Sequence, residues 1–253
     1  MAANKSVEKT LKILELISKY PEGITLSDIY KELGMPKATV YDILQALYKD
    51  DAIYYKDPHL KTYVIGSKIF TIGQAYTKNS NFINFASPLL KKFADKYGLT
   101  VFANKRLADK IVSIYKYEST KTRITTNDVG IQTPLTSNVS GKVFLAFASE
   151  SRKKELLKGI IEKEFKNKEK DDYAKLLLEL DSIKNNGFGI DNGISESYIC
   201  SFAVPVFNFE NKAVGVISAI RLVNNETEEE IKTQIDEFID IANYVSQKQG
   251  FKK

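Results

Sequence analysis

Cysteine, histidine and tryptophan are almost missing from this sequence of 253 residues, which has one cysteine, one histidine and no tryptophan. The single cysteine, Cys200, has no second cysteine for an internal disulfide, and with His59 it supplies too few ligands for a zinc site built from cysteine and histidine. A dithiol redox centre and a catalytic pair of serine and histidine are disfavoured for the same reason. We therefore predict neither a metal site nor a cofactor.

Long apolar runs are also absent, because no stretch reaches the roughly 18 apolar residues that a membrane-spanning helix needs. The first residues, MAANKSVEKTLK, lack the apolar segment of a secretory signal. We therefore expect a cytoplasmic protein. With 43% hydrophobic and 27% charged residues the composition is that of a globular protein, which excludes disorder and fibrous repeats and allows one large domain or two small ones.

The net charge of +5 does not by itself indicate binding to nucleic acid. Basic residues exceed the acidic residues only slightly in the first 78 residues, and the same holds for the remainder. Arginine is placed unevenly, since the chain has none before Arg106. This absence bears on DNA recognition because arginine is the commonest reader of guanine.

The first 51 residues have the pattern of three short helices, predicted over residues 1–20, 25–33 and 36–51. Thr25 is a good N-cap for the second helix, Gly34 is suited to end it, and Pro36 suits the first turn of the third. In the first helix the apolar residues have helical spacing: Val7, Leu11, Leu14 and Ile17. In the third helix the apolar stripe is Val40, Ile43, Leu44 and Leu47. Two helices joined by a tight turn with glycine predict a helix-turn-helix.

Two β-like runs follow these helices, at Ala52–Tyr55 and Thr62–Ile65. The polar segment between them contains Asp57 and Pro58, which favour a turn. We therefore predict a β-hairpin wing, and with the three helices it completes a winged helix-turn-helix domain over residues 1–66. A helical connector is predicted over residues 67–79.

The remainder, residues 80–253, alternates between helices and strands. A proline interrupts the first helical segment, so a new helix is predicted to begin near Ser87 and Pro88. Strands are expected over 101–105, 110–118, 122–126, 188–191, 198–208 and 213–222, and helices over 138–149, 151–160, 171–187 and 227–247. We predict an α+β fold in which the helices pack on a sheet.

The third helix of a winged helix-turn-helix enters the DNA major groove. The residues that its core stripe leaves available are the candidate contacts: Lys37, Ala38, Thr39, Tyr41, Asp42 and Gln45. Lys37 can meet a guanine edge or a phosphate, and Gln45 can meet an adenine. Phosphate contacts are predicted for the hairpin lysines on either side of His59 and for amides at the start of the second helix: Lys56, Lys61, Thr25 and Ser27. Such a domain also occurs as a protein-interaction module, so this alternative stays open.

Several segments together resemble the IclR family of transcriptional regulators. The run SVEKTLKILELISKYPEGITLSDIYKELGMPKATVYDILQAL, then DPHLKTYVIG, is similar to the family's N-terminal domain. The likeness continues through NVSGKVFLA, NNGFGID and the segment from CSFAVPVF to VISA. The resemblance implies a winged DNA-binding domain, a linker helix and a GAF-like α+β effector-binding domain. It also implies a homodimer through the DNA-binding domains and often a homotetramer through the effector domains.

One position departs from the family pattern. Family members commonly carry a basic residue in the third helix where this chain has Asp42, which repels phosphate. With no arginine in this domain, guanine readout is limited to lysine, and we expect the operator to be read partly through DNA shape.

The resemblance also implies where an effector binds. Carried over to this sequence, the pocket residues are Val139, Ser140, Gly141, Asp191, Ser201 and Ser218. The family's cysteine falls on Ser201, whereas Cys200 is one residue earlier and points to the opposite face of its strand. We therefore predict Ser201 in the pocket and Cys200 in the core. The amides at the helix start, residues 138–141, are predicted donors for a carboxylate.

These observations predict a sequence-specific DNA-binding regulator that a small effector controls, either an organic acid or an aromatic metabolite. Two alternatives remain at this point. A GAF-like domain can be an enzyme, for which Ser140 beside Lys142 is a conceivable catalytic pair, and a DNA-architectural protein needs no sensor. We predict no enzymatic activity.

Overall fold

The computed structural model describes residues 5–78, 81–121, 128–164, 170–192, 199–222 and 227–252. The chain divides into two compact units, Met1–Asn79 and Ser80–Lys253, and the helical connector clusters with the first of them. Within the described ranges no helix is both long and apolar enough to cross a membrane.

The first unit is a winged helix-turn-helix, as predicted. Its elements are α1 (Lys5–Ile17), β1 (Ile24–Thr25), α2 (Leu26–Glu32), α3 (Lys37–Lys49), β2 (Ile53–Asp57), β3 (Thr62–Ile65) and α4 (Ser67–Lys78). The strands form an antiparallel sheet in the order β1-β3-β2. The two-residue strand β1 was not predicted, and its pairing of Ile24 with Tyr63 ties the start of α2 to the wing.

Local sequence signals explain the ends of the helices. The Thr25 hydroxyl accepts a hydrogen bond from the Asp28 N–H at 3.3 Å and so caps α2. Gly34, beyond the end of α2, has a φ of +61°, a conformation that costs glycine little. Pro36 stands directly before α3 with a φ of −59°. The turn between the two helices therefore follows from three residues of the sequence.

The core of the first unit is formed by one face each of α1, α2 and α3, together with residues of the sheet. Val40 and Leu44 of α3 are fully buried, as their spacing predicts. The stripe predicted for α1 is wrong in part, because Val7 and Leu11 are more than half exposed. Ile17 of that stripe is buried, together with Ile13 and Leu16, which the stripe did not include. The two stripes are offset around the helix, and only contact with α2, α3 and the sheet selects the face that is buried.

The second unit contains α5 (Asn81–Tyr97), β4 (Thr100–Leu107), β5 (Lys110–Glu118), β6 (Gln132–Pro134), α6 (Val139–Ala146), α7 (Glu150–Glu164), α8 (Lys170–Asn186), β7 (Gly189–Asn192), β8 (Ile199–Phe207), β9 (Ala213–Leu222) and α9 (Glu228–Lys248). The strands form one antiparallel sheet in the order β6-β5-β4-β9-β8-β7. This is the predicted α+β fold. The short strand β6 was not predicted, and the strand expected over 122–126 lies outside the described residues.

The two faces of this sheet pack against different helices. Phe202 and Val204 of β8 lie in a core with residues of α5 and α9. Ala203, between them, lies in a second core with residues of α6, α7 and α8. Because successive side chains of a strand point to opposite faces, one-residue steps decide which core a side chain joins.

The helix α5 is continuous, so the prediction of a new helix near Ser87 and Pro88 is wrong. Proline inside a helix costs about 3 kcal/mol. Phe82, Leu90 and Phe93, on both sides of the proline, are almost fully buried. Each buried side chain of this size contributes about 1.5–3 kcal/mol, so together they outweigh the cost of the proline.

Candidate nucleic-acid interface and ligand cavity

The face of α3 opposite the core is accessible along its whole length. Lys37, Ala38, Tyr41 and Asp42 are exposed, and Thr39 and Gln45 are half-buried at its sides. The helix thus presents cationic, aromatic and amide groups outward, while its apolar stripe holds it on the domain.

A concave surface of about 480 Å³ connects α2, α3 and the wing. Among the predicted DNA-contact residues it brings together Thr25, Ser27, Lys37, Tyr41, Gln45 and Lys61. Its other lining residues were not predicted from the sequence and are mainly aromatic: Leu26, Tyr30, Tyr55, Leu60 and Tyr63. The sequence feature that could have indicated them is the high frequency of tyrosine in the wing strands and nearby helices. These tyrosines form a cluster only when the wing folds onto α3.

The tyrosines fix the wing to α3. The ring of Tyr55 lies 4.9 Å from that of Tyr48 on α3 and 4.8 Å from that of Tyr63, measured between centroids. The hydroxyls of Tyr55 and Tyr63 are 3.1 Å apart. Burial, and next the hydrogen bond with Tyr55, raise the pKa of Tyr63 well above its ordinary value, so its hydroxyl stays protonated.

Four candidate DNA-contact residues do not line the concave surface. Ala38, Thr39 and Asp42 lie on α3 outside it, and Lys56 lies on β2. The Lys56 ammonium donates to the Glu22 carboxylate at 2.6 Å and to the Pro21 carbonyl at 3.0 Å. Lys56 therefore holds the start of the wing against the turn after α1.

The start of α2 carries a negative charge. The Thr25 hydroxyl donates to the Asp28 carboxylate at 2.6 Å. This carboxylate lies at the positive end of the helix, where a phosphate was predicted to bind, and it weakens the attraction of that end for an anion.

The wing tip is held by its own hydrogen bonds. The Asp57 carboxylate accepts from the backbone N–H of His59 at 2.7 Å and of Leu60 at 3.0 Å. Lys61 has a φ of +51°. This turn leaves His59, Leu60 and Lys61 exposed at the tip.

A cavity of about 120 Å³ lies in the second unit, between the sheet and the start of α6. Its lining residues are Phe102, Asn104, Ile111, Ser113, Ile131, Thr133, Asn138, Val139, Ser140, Ser201, Ser218 and Ile220. It brings together four predicted pocket residues, which come from α6, β8 and β9: Val139, Ser140, Ser201 and Ser218. Among the described residues that line it, none carries a charge at neutral pH, and the polar groups are hydroxyls and carboxamides.

Asn104 forms the polar centre of the cavity and was missed by the sequence analysis. Its amide nitrogen donates to the Ser218 hydroxyl at 2.9 Å and to the Ser140 hydroxyl at 3.3 Å. Its carbonyl oxygen accepts from the Ser113 hydroxyl at 2.8 Å. Val101 and Ala103 are buried on one face of β4, and Asn104 is the polar residue that follows them. Successive side chains of a strand point to opposite faces, so this polar residue was the available signal for a site on the other face.

The start of α6 is capped by Asn138. Its carboxamide oxygen accepts from the Gly141 N–H at 3.0 Å, and its nitrogen donates to the Thr133 hydroxyl at 2.8 Å. The Gly141 amide is therefore not one of the open donors that we predicted. The amides of Val139 and Ser140, at the first two helical positions, have no acceptor within the helix.

Gly141 and Asp191 do not line the cavity. A Cβ at Gly141 would meet the backbone of Leu135, so this glycine allows close packing of α6. Asp191 is buried on β7, where it pairs in register with Ser201. Ser201 lines the cavity, and Cys200 is fully buried.

Ser140 and Lys142, the catalytic pair considered from the sequence, form hydrogen bonds with different partners. The Lys142 ammonium donates to the Glu179 carboxylate of α8 at 2.8 Å. The Ser140 hydroxyl, in contrast, accepts from Asn104. Lys142 thus joins α6 to α8, and this arrangement does not present it to Ser140 as a base.

Comparisons with known proteins match both units. The IclR helix-turn-helix domain matches residues 6–56, and the C-terminal domain of bacterial IclR transcriptional regulators matches residues 74–247. The DNA-binding transcriptional repressor YiaJ of Escherichia coli is 25% identical over 254 residues, covering 99% of this chain and 89% of the repressor. The crystal structure of an IclR transcriptional regulator from Alicyclobacillus acidocaldarius is 26% identical, with a TM-score of 0.84 over 98% of this chain and 100% of that chain. The crystal structure of the Thermotoga maritima IclR is 27% identical, with a TM-score of 0.71 over 98% of this chain and 99% of that chain.

Proposed function

The chain belongs to the IclR family of transcriptional regulators, and on this premise we propose that it binds a specific DNA operator and that a small molecule in the cavity of the second unit changes its operator affinity. The observation that carries the proposal is the concave surface of the first unit, which joins Lys37, Tyr41 and Gln45 of α3 to Lys61 of the wing. Known members of this family are regulators with a helix-turn-helix and a C-terminal effector-binding domain.

We infer that α3 reads bases and that the wing and the start of α2 position the domain on phosphates. Lys37 lies at the first position of α3, where a recognition helix approaches base edges. Asp28 in the first turn of α2 and the exposed Asp42 of α3 carry negative charge, which opposes phosphate. The first unit has no arginine, so we infer that lysine contacts and the shape of the operator supply the specificity.

The ligand that suits the cavity is small and bears oxygen atoms. Hydroxyls of Ser140, Ser201 and Ser218 and the first amides of α6 surround it, and Phe102 and Ile220 supply apolar contacts. Helix-start amides favour a carboxylate. An organic acid, with a short aliphatic or compact aromatic body, fits these groups.

A homodimer through the first unit completes the proposed mechanism. Apolar side chains of α1 and α4 are more than half exposed: Val7, Leu11, Phe70 and Ile72. Covering them in a dimer presents two α3 helices to half-sites spaced by about 34 Å or a multiple of it. The ligand acts only if it prefers one spacing of these helices, since coupling is a difference of affinities. A tetramer through the second units is compatible with this scheme.

The proposal is tested by selecting bound sequences from random DNA and titrating the selected operator by fluorescence anisotropy, with and without a mixture of small organic acids. We expect Lys37→Ala to weaken operator binding by about tenfold or more, since a base contact of this kind contributes about 1–3 kcal/mol. Lys154→Ala removes the same charge from an exposed position on α7 and serves as the matched control, with affinity unchanged.

Three outcomes are informative. Equal losses in both variants would mean that total charge, not α3, determines binding. Wild-type affinity in Lys37→Ala would refute α3 as the recognition helix. Operator affinity that no acid in the mixture alters would refute control by this class of ligand.

A further inference from the structure

We propose that Asn104 is the positioning residue that sets the hydrogen-bond polarity of the cavity, so that it accepts an oxygen acceptor group and rejects an amine of the same shape. This inference rests on the proposed function of the cavity as an effector site. Asn104 is only 4% exposed, and Ser140 and Ser218, which it contacts, are also buried. Buried polar groups are almost always hydrogen-bonded, so the partners of Asn104 determine which hydrogen-bonding groups face the cavity.

The directions of the hydrogen bonds follow from the chemistry of the groups. A carboxamide nitrogen can only donate, so Ser140 and Ser218 act as acceptors toward Asn104 and each keeps its own hydroxyl hydrogen. Ser113 donates to the Asn104 carbonyl and so has used its only hydrogen. Two hydroxyl donors therefore remain on the side of α6 and β9.

The opposite orientation of the carboxamide is disfavoured by a count of partners. If the nitrogen faced Ser113, one amide hydrogen would have a hydroxyl acceptor and the other would have lost both Ser140 and Ser218. A buried N–H without an acceptor is costly, whereas the orientation found here satisfies both hydrogens and the oxygen. The register shift between Ala103 and Asn104, where β5 has the extra residue Ile114, places Asn104 directly opposite Ser113 and so fixes the third partner.

Two donors at one end of the cavity discriminate between ligands. A carboxylate or amide oxygen accepts from both hydroxyls. An ammonium group carries only donors, so it can use only the second lone pair of each hydroxyl oxygen and leaves both hydroxyl hydrogens without an acceptor. The volume also limits the ligand, because about 120 Å³ is somewhat less than the roughly 150 Å³ of a cavity known to hold benzene. A body of about six non-hydrogen atoms is therefore suitable.

The test uses three probes with one carbon skeleton, butyrate, butyramide and butylamine, titrated into the full chain by calorimetry. For the wild type we expect butyrate and butyramide to bind at least about tenfold more tightly than butylamine. The reason is that butylamine leaves buried hydroxyl donors of the site unpaired. In Asn104→Asp the carboxylate accepts from Ser113, Ser140 and Ser218, which turns the hydroxyl donors away from the ligand. We expect this variant to lose butyrate affinity by about tenfold or more and to bind butylamine more tightly.

Asn208→Asp is the matched control. Asn208 lies after β8, and its carboxamide oxygen accepts from the backbone N–H of Glu210 and Lys212, which an aspartate also does. The control adds the same charge outside the cavity and is expected to keep the wild-type order of probes. If Asn104→Asp fails to fold, Asn104→Leu provides the second variant, with similar size and no hydrogen bonds, and we expect the acid to lose its advantage over the amine.

A wild type that binds butylamine as well as butyrate would overturn the inference, and so would Asn104→Asp with an unchanged preference. Absence of binding by all three probes to the wild type would also overturn it. Operator binding and its response to the acid mixture are measured on the same samples. An intact response with the wrong probe order refutes only the role of Asn104, whereas loss of operator binding or of its response in the wild type refutes the proposed function.

Discussion

Gly141→Ala is expected to destabilise the second unit and to distort the cavity, although alanine is normally the better helix former. A Cβ at this position would lie 2.7 Å from both the Cα and the carbonyl carbon of Leu135, and closer still to the Leu135 carbonyl oxygen. These are backbone atoms, so no side-chain rotation relieves the overlap. The first turn of α6, which carries Val139 and Ser140 into the cavity, has to move.

The expected cost follows from two opposing effects. Overpacking of a well-packed site costs about 1–3 kcal/mol, and a backbone clash places this case at the upper end. Replacing glycine by alanine inside a helix recovers about 0.8–1 kcal/mol. The net destabilisation is then about 1–2 kcal/mol, which lowers the Tm of a unit of this size by about 2–8 °C.

Gly159→Ala is the matched control because Gly159 lies inside α7 and a Cβ there would meet nothing within 4 Å. The same substitution should therefore raise stability by up to about 1 kcal/mol. Differential scanning calorimetry of the full chain measures both shifts, and hydrogen exchange of residues 135–146 shows whether α6 is the segment that loosens. A Gly141→Ala variant as stable as the wild type, or stabilised like Gly159→Ala, would refute the close contact of α6 with Leu135.

Two further predictions concern the dimer and acid stability. Leu11→Glu should weaken the proposed dimer by about 100-fold. Full burial of a leucine side chain contributes about 1.5–3 kcal/mol, and Leu11 is just over half exposed, so the two copies together contribute about 2–3 kcal/mol. Sedimentation analysis with unchanged circular dichroism would check this, and a dimer as tight as wild type would exclude α1 from the interface. Burial raises the pKa of Glu237, but hydrogen bonds from Lys96 and Tyr97 outweigh it, so the pKa is lowered in the folded chain. This stabilisation is present above the unfolded pKa near 4.3 and is lost as pH falls through the lower folded pKa, so Glu237→Gln should show a smaller loss of Tm on acidification; an identical acid profile would contradict the assignment.

Most elements of the fold could be predicted because their signals are local. The Thr25 cap, Gly34 and Pro36 delimit α2 and α3 within twelve residues, and alternation of side chains in β8 separates Ser201 from Cys200. The errors arose where packing overrides a local preference. Pro88 remains inside α5 because the helix buries a continuous apolar face.

The candidate sites were predicted less completely. The exposed residues of α3 could be chosen by subtracting its core stripe, whereas the tyrosines of the concave surface come from elements that meet only in the folded unit. Lys56 has the residue type of a phosphate contact, yet its ammonium is held by Glu22. Pairings of this kind depend on a turn 34 residues away in the chain.

What the sequence alone determined is most of the helices and strands in their order, the winged domain and its family, since caps, periodicity and turn residues act between near neighbours. What only the tertiary structure decided is the composition of the cavity. Asn104 and Ser218 are 114 residues apart and meet through antiparallel pairing of β4 with β9, with α6 packed across them. Such contacts depend on strand order and register, which many different local patterns can satisfy, so the polarity of the cavity emerged only from the folded chain.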